Sequence, residues 1–255
     1  MLLAIDVGNT HTVLGLFDGS ERLAHWRIGT RKDATADEWR VLFGSLFASE
    51  GLLPSGVRGA IVASVVPDLD ALIRETVRRT TEVEPLFVAP GMKTGVPILY
   101  DNPHEVGADR IVNAVAAIHK YGAPVIVVDF GTATTFDVVD RDGAYAGGVI
   151  VPGLGISAEA LFQRAARLAR VELRAPSRVI GRSTQESIQS GLFHGYLGLV
   201  ENLAARIRRE LATDAPLVAT GGLATVFDGR LPGCRAVDPG LTLEGLRILW
   251  ERNRR

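Results

Sequence analysis

One pattern occurs twice in this chain and limits its fold more than any other feature. Residues 2–7 (LLAIDV) form an apolar run that enters a glycine turn, and residues 12–18 and 22–28 follow as strand-like segments separated by Asp18-Gly19-Ser20. The same order returns later: Val125 to Asp129, the turn Gly131-Thr132-Ala133, a strand over 134–139, the hairpin Asp140-Arg141-Asp142-Gly143 and a strand over 144–151. Aligning Asp6-Val7-Gly8-Asn9-Thr10 with Asp129-Phe130-Gly131-Thr132-Ala133 makes duplication the economical explanation, with a boundary near residues 115–124. The expected domains are 1–117 and 118–255.

Between and after the repeats, periodicity predicts helices over 36–47, 68–80, 108–120, 157–169, 184–211 and 243–253, and strands over 59–65 and 217–220. Residues 91–106, with Pro97 and Pro103, read as a long connecting loop of the kind that often carries function. A length of 255 residues suits two small domains or one large one, and size alone leaves both open. The formal charge of −1 gives no global reason to expect nucleic acid or an anionic membrane as partner. A lone cysteine, Cys234, rules out an internal disulfide and zinc sites built on paired thiolates. No segment approaches the roughly 20 apolar residues of a membrane span, and Asp6 interrupts the first apolar run too early for a signal peptide. The expected location is the cytoplasm.

A strand that enters D-x-G and returns at once as a hairpin sets a carboxylate beside exposed backbone N–H groups. Those N–H groups suit phosphate oxygens. The aspartate would repel phosphate unless a cation stood between them, so the pairing itself implies a metal ion.

These turns resemble the phosphate motifs of the superfamily that includes sugar kinases, acetate kinase, actin and chaperone ATPases, and Ala219-Thr220-Gly221-Gly222-Leu223 resembles its adenosine motif. The implied fold is α/β: two duplicated ribonuclease H-like domains, the actin-like ATPase fold, with ATP in the cleft between them. Within that superfamily the chain is similar to type III pantothenate kinases through DVGNT at 6–10, GADR at 107–110, DFGTATTFD at 129–137, GGVIVPGL at 147–154, ATGGLA at 219–224 and LTLEGLR at 241–247. One departure is that Leu168-Ala169-Arg170 stands where the family usually has Leu-Pro.

The resemblance implies ATP-dependent phosphorylation of pantothenate, the first step of coenzyme A biosynthesis, by a homodimer whose neighbouring subunit partly closes the substrate pocket. It implies that Asp109 is the base taking the proton of the pantothenate hydroxyl, and that Tyr100, Gly107, Ala108, Arg110 and Thr184 bind the substrate. Asp6 would hold magnesium through water, while Val7, Gly8, Asn9, Thr10, His11, Thr12 and Val13 wrap the ATP phosphates. Thr132 would contact ATP, and Asp129 would bind a required potassium or ammonium ion. The residues themselves support part of this. Asp109 opens a helix, where free N–H groups and the dipole favour its charged form, and Arg110 offers a bidentate donor to a carboxylate. Capping is the alternative role for Asp109 and for Thr184.

Other routes fail on their own geometry. Gly153-Leu154-Gly155-Ile156-Ser157-Ala158, with Glu172 downstream, fits a dinucleotide fingerprint, but the preceding strand is expected to be antiparallel and Pro152 interrupts the entry. Neither Lys32, Lys93 nor Lys120 sits in a P-loop, Gly155 to Glu159 lacks the last glycine of a nucleophile elbow, and the five histidines form no H-x-x-x-H pair. The rival functions are a nucleotide-binding regulatory protein without kinase activity, and a kinase for another small alcohol.

Overall fold

The computed structural model describes residues 1–164 and 170–254. The expected end of the helix over 157–169, and the Leu168-Ala169 departure, therefore lie outside the described residues. Contacts divide the chain into two compact units, one of Met1–Val96, Tyr100–Ala116 and Leu241–Arg255, the other of Pro97–Leu99 and Ala117–Gly240.

The first unit is built on a five-stranded sheet in the order β3-β2-β1-β4-β5. Its strands are β1 (Leu2–Val7), β2 (His11–Asp18), β3 (Glu21–Gly29), β4 (Gly59–Ser64) and β5 (Leu86–Phe87). Strand β1 runs antiparallel to β2 and parallel to β4. Helices α1 (Ala36–Ser49) and α2 (Asp70–Thr81) supply Trp39, Phe43, Phe47, Ile73 and Val77 to a core with Leu3, Ile5 and Val7. The start of α1 is fixed by a capping box in which Thr35 and Glu38 each accept from the other's backbone N–H.

The opposite face of the sheet is covered by α6 (Leu241–Asn253), not left to solvent. Leu243 lies against Gly15 and Trp250 against Gly59, where an added Cβ would stand 2.9 and 2.2 Å from the respective side chains. Because both faces are covered, β1 reads as a continuous apolar run up to Asp6 rather than an alternating one. This packing divides the chain differently from a cut at 117/118. The last helix belongs to the first compact unit because the glycines of β2 and β4 receive its large side chains, and because Gly245 lets it approach the helix α3 (Ala108–Tyr121), where a Cβ would stand 2.2 Å from the Val112 carbonyl oxygen.

The second unit repeats the plan. Its sheet has the order β10-β9-β6-β7-β8, from β6 (Val125–Phe130), β7 (Ala133–Val139), β8 (Tyr145–Pro152), β9 (Leu217–Thr220) and β10 (Cys234–Val237). Strand β6 is antiparallel to β7 and parallel to β9, as β1 is to β2 and β4. The long helix α5 (Thr184–Glu210) lays Phe193, Tyr196, Val200 and Ala204 over Ile126, Val128, Phe130 and Phe136. Helix α4 spans Leu154–Arg164 and so starts ahead of the Ser157 expected from the pattern. Part of the expected loop over 91–106 joins the sheet edge: Tyr145 N donates to Pro97 O at 2.8 Å and Leu99 N to Tyr145 O at 2.9 Å. Among the described residues, no helix is long and apolar enough to cross a membrane.

Candidate active site

The two D-x-G turns leave the central strand of each sheet at matching points. Strands β1 and β6 have the same burial pattern, with Asp6 and Asp129 each partly open between buried neighbours. In register, Asp6 faces Val13 on one side and Ala63 on the other, and Asp129 faces Thr135 and Thr220. Each carboxylate thus stands at the end of a central strand, flanked by an antiparallel and a parallel neighbour.

In the first turn, Gly8 N donates to His11 O at 3.0 Å, and a Cβ on Gly8 would stand 2.9 Å from that oxygen. Thr30, directly after β3, locks the turn from the side. Its hydroxyl donates to Gly8 O at 2.7 Å and shares a 3.0 Å contact with the Thr12 hydroxyl, while its N–H donates to Thr10 O at 2.9 Å. Lys32 Nζ reaches Asn9 Oδ1 at 3.4 Å. Asn9, Thr10 and His11 are exposed, Thr12 is buried and Val13 is partly buried, so only the front of the 6–13 stretch faces solvent. Desolvation, with Arg27 adding to it, pushes the His11 imidazole below its ordinary value. At neutral pH it offers hydrogen bonds rather than charge.

The second turn is held by close backbone packing. A Cβ on Gly153 would stand 2.1 Å from Thr132 O and 2.7 Å from Gly131 O. Gly221, at φ +90°, lies so near Asp129 that a Cβ would be 2.3 Å from its Oδ1 and 2.6 Å from Phe130 N. The expected adenosine motif therefore meets the second aspartate directly. The rejected fingerprint at 153–158 has a structural role instead: β7 and β8 are antiparallel, and Gly153 is the residue that lets α4 begin against the turn.

At the start of α3, Asp109 Oδ1 accepts from Arg110 N at 2.8 Å. The carboxylate curls back so far that a Cβ on Gly107 would stand 2.5 Å from it, which gives the glycine of GADR a physical reason. The helix start was expected to favour the charged form of Asp109. The net effect is the reverse: burial pushes its carboxyl above the ordinary carboxylate value, against the Arg110 N–H and guanidinium, which pull it down. Ala108 begins the helix and the Arg110 side chain is buried in the same unit. Tyr100 is partly buried, one residue beyond the segment anchored on Tyr145.

Thr184 is not the cap of α5. Ser183 holds that position and accepts from Glu186 N at 3.2 Å. Thr184 is exposed and lines an apolar groove of about 360 Å³ with Leu161, Ser187, Ile188, Gly191 and Leu192. Thr30 goes unrecognised in the sequence, and Gly153 enters there only as part of a family string and of the rejected fingerprint, not as the support of the second turn. The signal that finds them is the repeat itself, because each follows directly on the third strand of its unit.

Comparison with known proteins supplies the family. A profile of the type III pantothenate kinase family matches residues 2–206. Type III pantothenate kinases from Anaeromyxobacter sp. (strain K) and Geobacter sulfurreducens are 54% identical over 254 residues and 52% identical over 255 residues, each covering 100% of both chains. Among solved structures, one described as a Baf family transcriptional activator from Campylobacter jejuni aligns with a TM-score of 0.61 at 18% identity, over 98% of both chains. The activator of 2-hydroxyisocaproyl-CoA dehydratase from Clostridium difficile with bound ADPNP aligns at 0.51 and 14%, over 96% of this chain and 91% of that one. At such identities these two speak for the fold alone, the two-unit actin-like ATPase fold. Full-length identity above half carries the rest: the chain belongs to the type III pantothenate kinase family.

Proposed function

We propose that Asp109 is the general base of this kinase and that the two aspartate turns handle the nucleotide and its cations. Membership of the family makes the chain a phosphotransferase that uses ATP with Mg2+ and phosphorylates pantothenate. In that reaction the substrate hydroxyl oxygen bonds to the γ-phosphorus of ATP, the bond from that phosphorus to the ADP oxygen breaks, and the hydroxyl proton leaves to a base. The single observation that carries the assignment of the base is the Asp109 carboxyl, raised by burial and held in place by Arg110 N. A base is most effective when its pKa approaches the working pH. Phosphoryl transfer also tolerates a weak base, since its loose transition state asks mainly for orientation and charge neutralisation.

In this reading, backbone N–H groups of the 8–13 turn bind phosphate oxygens, with Thr30 holding the turn in shape. Mg2+ takes one or two carboxylates, phosphate oxygens and water, a demand that the Asp6 carboxylate at the end of β1 fits; when bound, it neutralises phosphate charge. Thr132 contacts ATP. Asp129 holds potassium or ammonium, and Gly221 supports that role because any side chain there would fill the space beside Oδ1. Tyr100, Gly107, Ala108, Arg110 and Thr184 bind pantothenate, whose carboxylate suits the Arg110 guanidinium.

The active form is a homodimer. Exposed Leu161 in the groove that holds Thr184, with Ile156, Val179 and Ile180 also exposed in the same unit, supports a second copy as their cover. Use of ATP and a single thiol support the cytoplasm as the place of action.

The test is ADP formation against a panel of alcohols, with and without potassium. We expect ADP only with pantothenate, a strong potassium response, and loss of that response in Asp129→Ala. ADP formation that ignores pantothenate would overturn the base assignment, and a full potassium response in the variant would move the cation site elsewhere.

A further inference from the structure

Asp238 lies just past β10, outside every motif assigned above. Its carboxylate is held by three donors: Tyr121 Oη gives to Oδ2 at 2.9 Å, Lys120 Nζ pairs with the same oxygen, and Gly240 N gives to Oδ1 at 3.1 Å. The side chain is only 12% exposed. A carboxylate so enclosed and so fully bonded resists displacement. Its main chain grips the expected adenosine motif twice: Asp238 N donates to Ala219 O at 2.7 Å, and Asp238 O accepts from the Thr220 hydroxyl at 2.7 Å. Arg235 steadies the donor side, giving to Tyr121 O at 2.9 Å with its guanidinium 5.7 Å from the phenol ring centre. Burial, with the hydrogen bond to Asp238 and its charge, pushes the Tyr121 phenol up to about 12, so it remains a donor at neutral pH.

We propose that Asp238 is a positioning residue for the nucleotide, anchored on the last turn of α3 by Lys120 and Tyr121 and fixing Thr220 and Gly221 where the adenosine end of ATP binds. This rests on reading residues 219–223 as the adenosine motif. Gly221 makes the placement demanding, because at φ +90° it already abuts Asp129 and Phe130 and has no room to drift. Without its carboxylate anchors the 238 peptide can shift, and Thr220 shifts with it. The consequence falls on the nucleotide and spares the other substrate.

The experiment compares wild type with Asp238→Ala, Asp238→Asn and Tyr121→Phe in steady-state kinetics, varying ATP and pantothenate separately, and in calorimetric titration with a non-hydrolysable ATP analogue. We expect Asp238→Ala to raise KM for ATP and Kd for the analogue about tenfold, with KM for pantothenate within about twofold, as loss of charge-assisted hydrogen bonds predicts. Asp238→Asn, which keeps a carbonyl oxygen for Gly240 N, should fall between it and wild type, and Tyr121→Phe should cost about threefold in the same parameters. An equal rise in both KM values, or an unchanged Kd in folded Asp238→Ala, overturns the proposal. Should Asp238→Ala fail to fold, Tyr121→Phe is judged by the same ratio of KM changes. A wild type that does not bind the analogue would instead overturn the adenosine reading beneath it.

Discussion

The first and second turns sit at the same place in the same topology yet are secured by different physics. Val7 pairs with Thr12 around residues 8–11, whereas Phe130 pairs with Thr134 around residues 131–133, so the first turn is one residue longer. At the position directly after the third strand, the first unit has Thr30, which bonds to the turn with hydroxyl and N–H; the second has Gly153, which presses its bare α-carbon onto Gly131 and Thr132. The buried Thr12 hydroxyl meets Thr30, while the buried Thr134 hydroxyl at the equivalent pairing position has no partner among the described residues. A longer turn can be tied by hydrogen bonds; a shorter one here is wedged in place. Duplication preserves where a turn is and leaves open how it is held.

The largest expected effect comes from outside both turns and sets the scale for them. Asp109→Asn should cut kcat by about 10²–10⁴-fold, the usual worth of a general base, while affinity for an ATP analogue stays within about twofold; turnover within a few-fold of wild type would remove Asp109 from that role. Burial raises this carboxyl, so its ionised form opposes folding, increasingly so as pH rises from the ordinary carboxylate range through the raised value. The asparagine variant should accordingly melt at or above the wild-type temperature at pH 7. Activity has the opposite sign: the base works ionised, so kcat/KM should rise with pH through an acid limb above the ordinary carboxylate range, read from a pH profile at low substrate.

Within the turns the wedge should prove less forgiving than the tie. Gly153→Ala forces a methyl against a backbone oxygen that cannot swing away, at a cost of about 1–3 kcal/mol in denaturant unfolding, with a raised KM for ATP through Thr132. Thr30→Val removes hydrogen bonds but keeps shape, and should cost about 1 kcal/mol. Equal costs would erase the distinction drawn between the turns. The smallest effect should be Thr134→Val, near zero or slightly stabilising because the hydroxyl it deletes is buried and unbonded; a loss matching Thr12→Val would show that the two threonines are held alike.

Most of the fold was legible because its signals are local. The D-G hairpins, the apolar runs of β1 and β6 and the helical periodicity over 108–120 each speak within a few residues. What escaped depends on distant partners. Strand β5 is only Leu86–Phe87, and β10 pairs with β9 through a register shift, so neither carries a periodic signal of its own. Helix α6 follows the second repeat in sequence, and the places where it packs, at Gly15 and Gly59 of the first sheet and beside α3, are far from it along the chain. At the site, the motif residues were readable, but the direction of the Asp109 shift was not: position at a helix start is visible in sequence, and desolvation is a property of the folded surroundings.

Helix α6 also sets the order of events while the protein is being made. Strand β4 ends at Ser64 and α6 begins at Leu241, so at ~5–20 residues per second the ribosome needs roughly 10–40 s between them. Throughout that interval one side of the first sheet lacks the side chains of Leu243 and Trp250 that cover it. Maturation of this sheet is therefore tied to a segment synthesised long after its strands, and a stop codon ahead of Leu241 should injure a sheet whose own strands are all present.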